Sequence, residues 1–406
     1  MIARLINLSI VSLLVFITSG SSVLFNWTIK IPLLFVVAAL VLKRKNAVTN
    51  KEFFFKMSLY ILIWITINFL SYIFTMTPFV TTAVILFTTN FILALMVLHL
   101  LGWSFWINFE KIIYYLTLLS LPIFLLNVLM PSFFDNLISV FKPFTNERFF
   151  QFDEFRNYWS AIVYVKAMKT DFLYRNCGFM WEPGAFAMII IWGLGFNWLI
   201  NGIKIDRRTI VYSIALITTQ STAGYIAFFI MLIAANMKNM KLINFIFIIV
   251  IAYFFFVYVY DIDFIGEKVD GYLYYATNDI VIFNKFFNAY KVNRIQILQY
   301  DLIRLFKYPL GYGFNYQGDF ISVNGLSSTL LMWGIIPFIY FLVLIRKYYT
   351  QINIYSASNK VVFLIYTGLL IMFFSNPISQ NVFFYMLVGS PLILKKCDDG
   401  QTKQYL

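Results

Sequence analysis

The 406-residue chain has little charge, almost no histidine and two cysteines. Charged residues make up 12% of it, against about 25% in an ordinary soluble domain. A solvated surface for a soluble globule of this length cannot be built from so few. The single histidine, His99, sits late in an apolar run with no Cys or carboxylate beside it. That excludes a histidine-based metal site and leaves helix packing as its expected role. Cys177 and Cys397 fall on opposite faces of the topology derived below, so no disulfide framework is expected. The chain has no CxxC, HExxH or Walker loop, no internal repeat and no low-complexity linker. The absence of a repeat removes the usual architecture of secondary transporters.

What the chain has instead is apolar sequence. Hydrophobic residues make up 61%, and mean hydropathy is +0.79. The apolar runs reach or approach the ~20 residues that cross a bilayer core. About twelve spans are expected, near residues 6–25, 28–42, 53–74, 79–101, 112–130, 184–201, 209–220, 222–236, 242–260, 326–345, 361–375 and 381–394. The region 209–236 reads either as two short helices joined at Gln220 and Ser221 or as one broken helix. The first span is expected to be retained, because no small-residue cleavage site follows it. The expected fold class is therefore all-α: a polytopic integral-membrane protein, one domain over 1–406, with two large outer loops at 131–183 and 261–325.

The 31 basic residues outnumber the 18 acidic ones, for a net charge of +13. If both termini are cytoplasmic, eighteen basic residues and five acids lie inside, and the outer loops balance. The excess thus reads as topology under the positive-inside rule. It is not a nucleic-acid surface, because no basic patch with interleaved aromatics forms a soluble unit.

The first loop ends in RNCGFMWEPGAFA, Arg175 to Ala187, which brings an Arg and a Glu to the edge of a long apolar segment. Ionisable groups at that level are costly and serve as functional candidates. Arg175 and Glu182 are seven residues apart. A helix between them would put both on one face, and an extended segment would let them approach one ligand from two sides. Pro183 and Gly184 open the next helix. Upstream, YWSAIVYVKAMK at 158–169 reads as a short interfacial helix.

In the second loop, Ile295, Leu298, Leu302, Leu305 and Phe306 fall on one helical stripe bordered by Arg294, Asp301 and Arg304. The segment is expected to lie on the outer membrane surface, or else to pack on the bundle with an arginine paired to Asp301. Pro309 ends it, and Gly311 and Gly313 form a permissive turn. TTQSTAGYIAFF at 218–229 and NPISQN at 376–381 place small polar residues at span borders.

An outer-face site has no nucleotide to draw on, so its activated donor must arrive in the membrane. A lipid-linked diphosphate meets that need, and a guanidinium stabilises its leaving group through bidentate hydrogen bonds. Arg175, Arg294 and Arg304 suit that role. Glu182 is either a base for an attacking sugar hydroxyl or a structural carboxylate at a helix start.

With Arg175, Gly178, Phe179, Glu182, Pro183, Phe186 and Ala187, then Ser221 with Gly224, PLGYGFN at 309–315 and Asn324 before a span holding Gly334, the chain resembles the Wzy-type O-antigen and capsule polymerases of the O-antigen ligase and polymerase superfamily. The resemblance covers motifs over roughly 170–345 and topology throughout. It implies a metal-independent glycosyltransferase without cofactor. Such an enzyme joins undecaprenyl-diphosphate-linked oligosaccharide repeats at the outer face of a bacterial cytoplasmic (inner) membrane, alongside a chain-length regulator in some systems. It implies catalytic roles for Arg175, Glu182, Arg294 and Arg304, and substrate contacts for Gly178, Trp181, Ser221, Tyr312, Asn315 and Asn324. Ligases of the superfamily place a His before the span that Asn324 precedes here, and its absence favours a polymerase. A ligase-like transferase and a flippase for lipid-linked sugars are the alternatives.

Overall fold

The computed structural model describes residues 2–20, 27–44, 47–75, 81–140, 159–160, 163–166, 174–237, 294–311, 324–376 and 381–394. Nearly all of it is helix: α1 (Ile2–Ser19), α2 (Trp27–Arg44), α3 (Ala47–Thr75), α4 (Thr81–Leu101), α5 (Trp103–Leu129), α6 (Pro131–Ser139), α7 (Pro183–Asn201), α8 (Arg207–Thr219), α9 (Thr222–Asn236), α10 (Arg294–Lys307), α11 (Gly325–Trp333), α12 (Ile335–Gln351), α13 (Asn359–Ser375) and α14 (Val382–Ile393). Three segments are long and apolar enough to cross a membrane: Asn50–Phe74, Trp103–Leu129 and Pro183–Asn201. Shorter apolar helices accompany them, among them Thr222–Asn236, Asn359–Ser375 and Val382–Ile393. The expected span at 242–260 lies outside the described residues.

A helix that is apolar all round must be surrounded. Helix α7 meets that condition, being buried along nearly its whole length against α5, α8, α9 and α13. Helix α14 is likewise enclosed by α4 and α12. Between them lies an aromatic cluster. Trp106 packs 5.2 Å from Trp192, and Phe109 stacks 5.8 Å from Phe383. Trp106 also donates to Ser390 Oγ at 2.7 Å, which satisfies a buried indole and ties α5 to α14. His99 stacks on Phe53 at 4.0 Å, with its Nε2 3.3 Å from Asn50 Oδ1, as a packing residue would.

The structure departs from the sequence reading in three places. Helix α5 begins at Trp103, so Glu110 and Lys111 belong to a helix and not to a loop. Two partners make this possible. Arg208 donates to Glu110 Oε2 at 2.5 Å and Tyr212 to Oε1 at 2.9 Å, so the carboxylate is buried with its hydrogen bonds made. Residues 326–345 form two helices, α11 and α12, broken at Gly334. Finally, within the helix expected at 158–169, Trp159–Ser160 (β1) and Val165–Lys166 (β2) pair instead as an antiparallel ribbon. Val165 N–H finds the Gly178 carbonyl at 2.6 Å, and Lys166 bridges to Asn176. An available backbone edge thus draws a β-branched, aromatic segment into strand.

Candidate functional site

The segment from Arg175 to Glu182 is not helical. It runs extended beside the C-terminus of α8 and then turns at Gly178. Its first job is visible in the hydrogen bonds. A helix leaves its last carbonyls without partners, and they must be found elsewhere. Here Tyr225 Oη–H donates to the Ile217 carbonyl at 2.8 Å, and Asn176 N–H to Thr218 at 2.9 Å. Arg175 completes the set: Nε–H donates to Thr219 at 3.1 Å and Nη2–H to Gln220 at 3.0 Å. Gln220 sits in the left-handed region, φ 48°, so the chain reverses from α8 into α9 at that residue. A cation at a helix C-terminus is also favoured by the helix dipole. The region 209–236 is therefore two helices, and Arg175 stands on the joint.

Gly178 has φ +50°, and a Cβ there would overlap the Phe186 ring. Both facts require glycine. Its N–H is held by Asn176 Oδ1 at 2.8 Å, and the Asn176 amide reaches Thr218 Oγ1 at 3.0 Å. Trp181 N–H donates to the Ser19 carbonyl at 3.1 Å, which brings the end of α1 to this side of the bundle.

Three of the sequence-selected residues occupy N-cap positions: Glu182 on α7, Ser221 on α9 and Asn324 on α11. Only Ser221 caps its own helix, accepting from Gly224 N–H at 3.2 Å. The three helix starts lie together. A Cβ on Gly224 would stand 3.0 Å from Ala187 Cβ, joining α9 to α7. Asn376, at the end of α13, donates from Nδ2 to Gly184 O at 3.3 Å and to Met372 O at 2.8 Å. The start of α11 is pressed so closely on α13 that a Cβ on Gly325 would overlap the carbonyls of Phe373 and Asn376. Each helix N-terminus presents backbone N–H groups and a partial positive charge, which together favour an anion. The Glu182 carboxylate is partly exposed and makes no hydrogen bond or ion pair among the described residues. Its Oε1 lies 3.8 Å, and Asn376 Oδ1 2.9 Å, from where a Gly184 Cβ would be.

Helix α10 borders this cluster. Asp301 is buried and accepts from Ser327 Oγ, in the first turn of α11, at 2.6 Å. Arg304 lies over the Tyr300 ring at 4.5 Å. Arg294 opens the same helix. Beyond it, Pro309 O accepts from Ile335 N–H at 3.1 Å, and Gly311 abuts Gly334, so the turn after α10 is hooked into the break between α11 and α12. Tyr312 and Asn315 lie outside the described residues.

The structure thus gathers Arg175, Gly178, Glu182, Ser221 and Asn324 at one end of the bundle; α10, which carries Arg294 and Arg304, joins it through Asp301 on Ser327 of α11. Sequence reasoning did not select Asn176 or Asn376, although both bridge elements here. Asn376 was legible only as the first residue of a polar turn. No group of three or more His, Cys, Asp or Glu side chains able to hold a metal occurs among the described residues. No family model matches the chain, and neither a curated protein nor a solved structure matches it.

Proposed function

We propose that the chain is a membrane glycosyltransferase that joins undecaprenyl-diphosphate-linked oligosaccharide repeats into a surface polysaccharide: O-antigen, capsule or exopolysaccharide. In this reading it crosses the bacterial cytoplasmic membrane about twelve times, both termini are cytoplasmic, and the cluster around Glu182 faces outward. One observation carries the reading: three helix N-termini, a guanidinium and a carboxylate free of protein partners among the described residues meet at one bundle end. The N-termini and Arg175 suit a diphosphate, and Glu182 suits a hydroxyl that must lose a proton.

In the reaction, an acceptor sugar hydroxyl attacks the anomeric carbon of the donor. The bond from that carbon to the diphosphate oxygen breaks, and its electron pair leaves with undecaprenyl diphosphate. The hydroxyl proton passes to the Glu182 carboxylate. Arg175, Arg294 and Arg304 offset the charge that develops on the leaving diphosphate.

The test is a deletion strain, with and without the chain restored, whose surface polysaccharide is resolved on a gel. The deletion shows one of three outcomes, and restoring the chain should reverse it. Retained single repeats without a ladder support a polymerase. Carrier-linked polymer that never reaches the surface identifies a ligase-like transferase. Lipid-linked repeats held on the cytoplasmic face identify a flippase.

A further inference from the structure

Two short amphipathic helices, α6 and α10, each turn large apolar side chains away from the protein. On α10 the buried residues are Ile297, Asp301 and Leu305, so a carboxylate faces the bundle. Leu302, Ile303 and Phe306 are exposed, Phe306 at 87%. On α6 the buried residue is Phe134, packed 5.5 Å from Tyr164. Phe133 and Leu137 are exposed, as is neighbouring Met130. Each helix is also held by a polar pin. Asp135 on α6 pairs with Lys166 of the ribbon, and Asp301 on α10 accepts from Ser327.

An amphipathic helix in water exposes its acids, whereas α10 buries Asp301 and exposes Leu302, Ile303 and Phe306; α6 leaves Asp135 half-exposed but turns Phe133 and Leu137 outward as well. Neither helix has the length of a span, at 9 and 14 residues. Both stand at the bundle end where Glu182 lies, α6 through the ribbon and Gly178, α10 through α11. Helix α10 carries Arg304 and Lys307 in its last turn.

We infer that α6 and α10 form a collar lying in the bilayer interface around the site, their exposed apolar side chains immersed at the headgroup–acyl boundary and the exposed Lys307 at the end of α10 on anionic headgroups. The occupant of these faces is the chain's own membrane. Such helices sit about 5–10 Å into the boundary. The inference does not depend on the chemistry proposed above.

The test uses the full-length protein with Cys177→Ala and Cys397→Ala, reconstituted in phosphatidylethanolamine and phosphatidylglycerol. Single nitroxides are placed at Phe306→Cys, Ile303→Cys, Phe133→Cys or Leu137→Cys. Leu62→Cys at the middle of the α3 span, 61% exposed, serves as the deep reference. Relaxation by dissolved oxygen and by a water-soluble nickel chelate is measured at each site. The expected result at all four collar sites is strong oxygen relaxation, weak chelate relaxation and a depth shallower than position 62. Strong chelate relaxation at 306 and 133 puts these faces in water and overturns the inference. So does weak relaxation by both agents, which means protein covers them. Dipolar broadening between like labels also overturns it, by showing a second copy on the face. None of these outcomes bears on whether the protein polymerises sugars.

Discussion

The Arg175 guanidinium donates to the carbonyl of Gln220 at 3.0 Å, across 45 residues of sequence, and so closes the joint between α8 and α9. A second N–H of the same group holds Thr219. Two parallel donors set a fixed fork that an ammonium does not reproduce.

Arg175→Ala and Arg175→Lys therefore separate two jobs. The Ala variant leaves two carbonyls at the joint without their charged donor, at a cost of about 1–3 kcal/mol. It is expected to lower the midpoint of thermal unfolding in detergent and to abolish polymer. The Lys variant is expected to recover most of the stability and still lose the ladder, because a single ammonium cannot grip the joint and a diphosphate together. A full-length ladder from Arg175→Lys would confine this residue to the joint.

Glu182→Gln tests the carboxylate alone. With no hydrogen bond or ion pair among the described residues, loss of its charge is expected to lower the unfolding midpoint only slightly, reflecting the ~0.3–1 kcal/mol that an anion gains at a helix N-terminus. A general base contributes roughly 10²-fold or more, so initial polymerisation rates should fall by that order. Asn376→Ala should behave differently: it removes donors to Gly184 and Met372 and should lower stability more, as well as rate. Equal polymerisation by wild type and Glu182→Gln would leave the anion-binding groups to act without a base.

Gly334 and Gly311 hold the hook between α10 and the helix break. A Cβ on Gly334 would stand 2.5 Å from Leu310 C, and one on Gly311 2.5 Å from Gly334 N. Their φ values of +78° and +82° disfavour any side chain as well. Either Ala substitution is expected to cost about 1–3 kcal/mol in backbone strain and more in displaced backbone. The double variant should cost little more than the worse single one, since both open the same contact. Gly102→Ala is the control, with φ +59° but open space around its Cβ, and should cost strain alone.

The long apolar helices were legible because continuous hydrophobicity has one meaning once it approaches the length of a span. The starts of α7, α9 and α11 were legible too, from Pro183, Ser221 and Asn324 at the edges of apolar runs. What escaped was set by partners far along the chain. Gly334 inside an apolar run gave no sign of a break, because its cause is the backbone of Pro309 and Leu310. Glu110 beside Lys111 looked like loop, because Arg208 and Tyr212, which satisfy it, follow about a hundred residues later. Residues 159–160 and 165–166 form a ribbon, and Val165 is held by a carbonyl at Gly178 that no local pattern announces.

Asp206 gives a pH signature at the other end of the bundle. It caps α8, accepting from Thr209 N–H at 2.8 Å. Burial pushes its carboxyl up, but hydrogen bonds from Thr209 and Asn197, with Lys204 nearby, outweigh this and leave it below the usual value. A carboxyl depressed on folding adds stability above its unfolded value, about 3.9, and loses it as pH falls through the folded value. Asp206→Ala is expected to cost about 1 kcal/mol near neutrality. The gap between the two unfolding midpoints should close only as pH falls below 4, and a gap independent of pH down to acid would refute the cap's ionic character.

Arg208 and Glu110 form an ion pair at 2.5 Å, with Glu110 buried and Arg208 partly exposed. Removing one partner of such a pair leaves a buried charge uncompensated and costs about 3–5 kcal/mol. Arg208→Ala is therefore expected to destabilise strongly. Glu110→Gln keeps an acceptor for Tyr212 and removes the charge that needs Arg208, so it should cost much less. Combining the two, Arg208→Ala with Glu110→Gln, should recover part of the loss from Arg208→Ala alone, because no buried carboxylate remains. Thermal unfolding of the three variants measures this directly. Additive losses would mean that Arg208 stabilises α8 by packing over Tyr114, where it lies 5.5 Å from the ring, and not by neutralising Glu110.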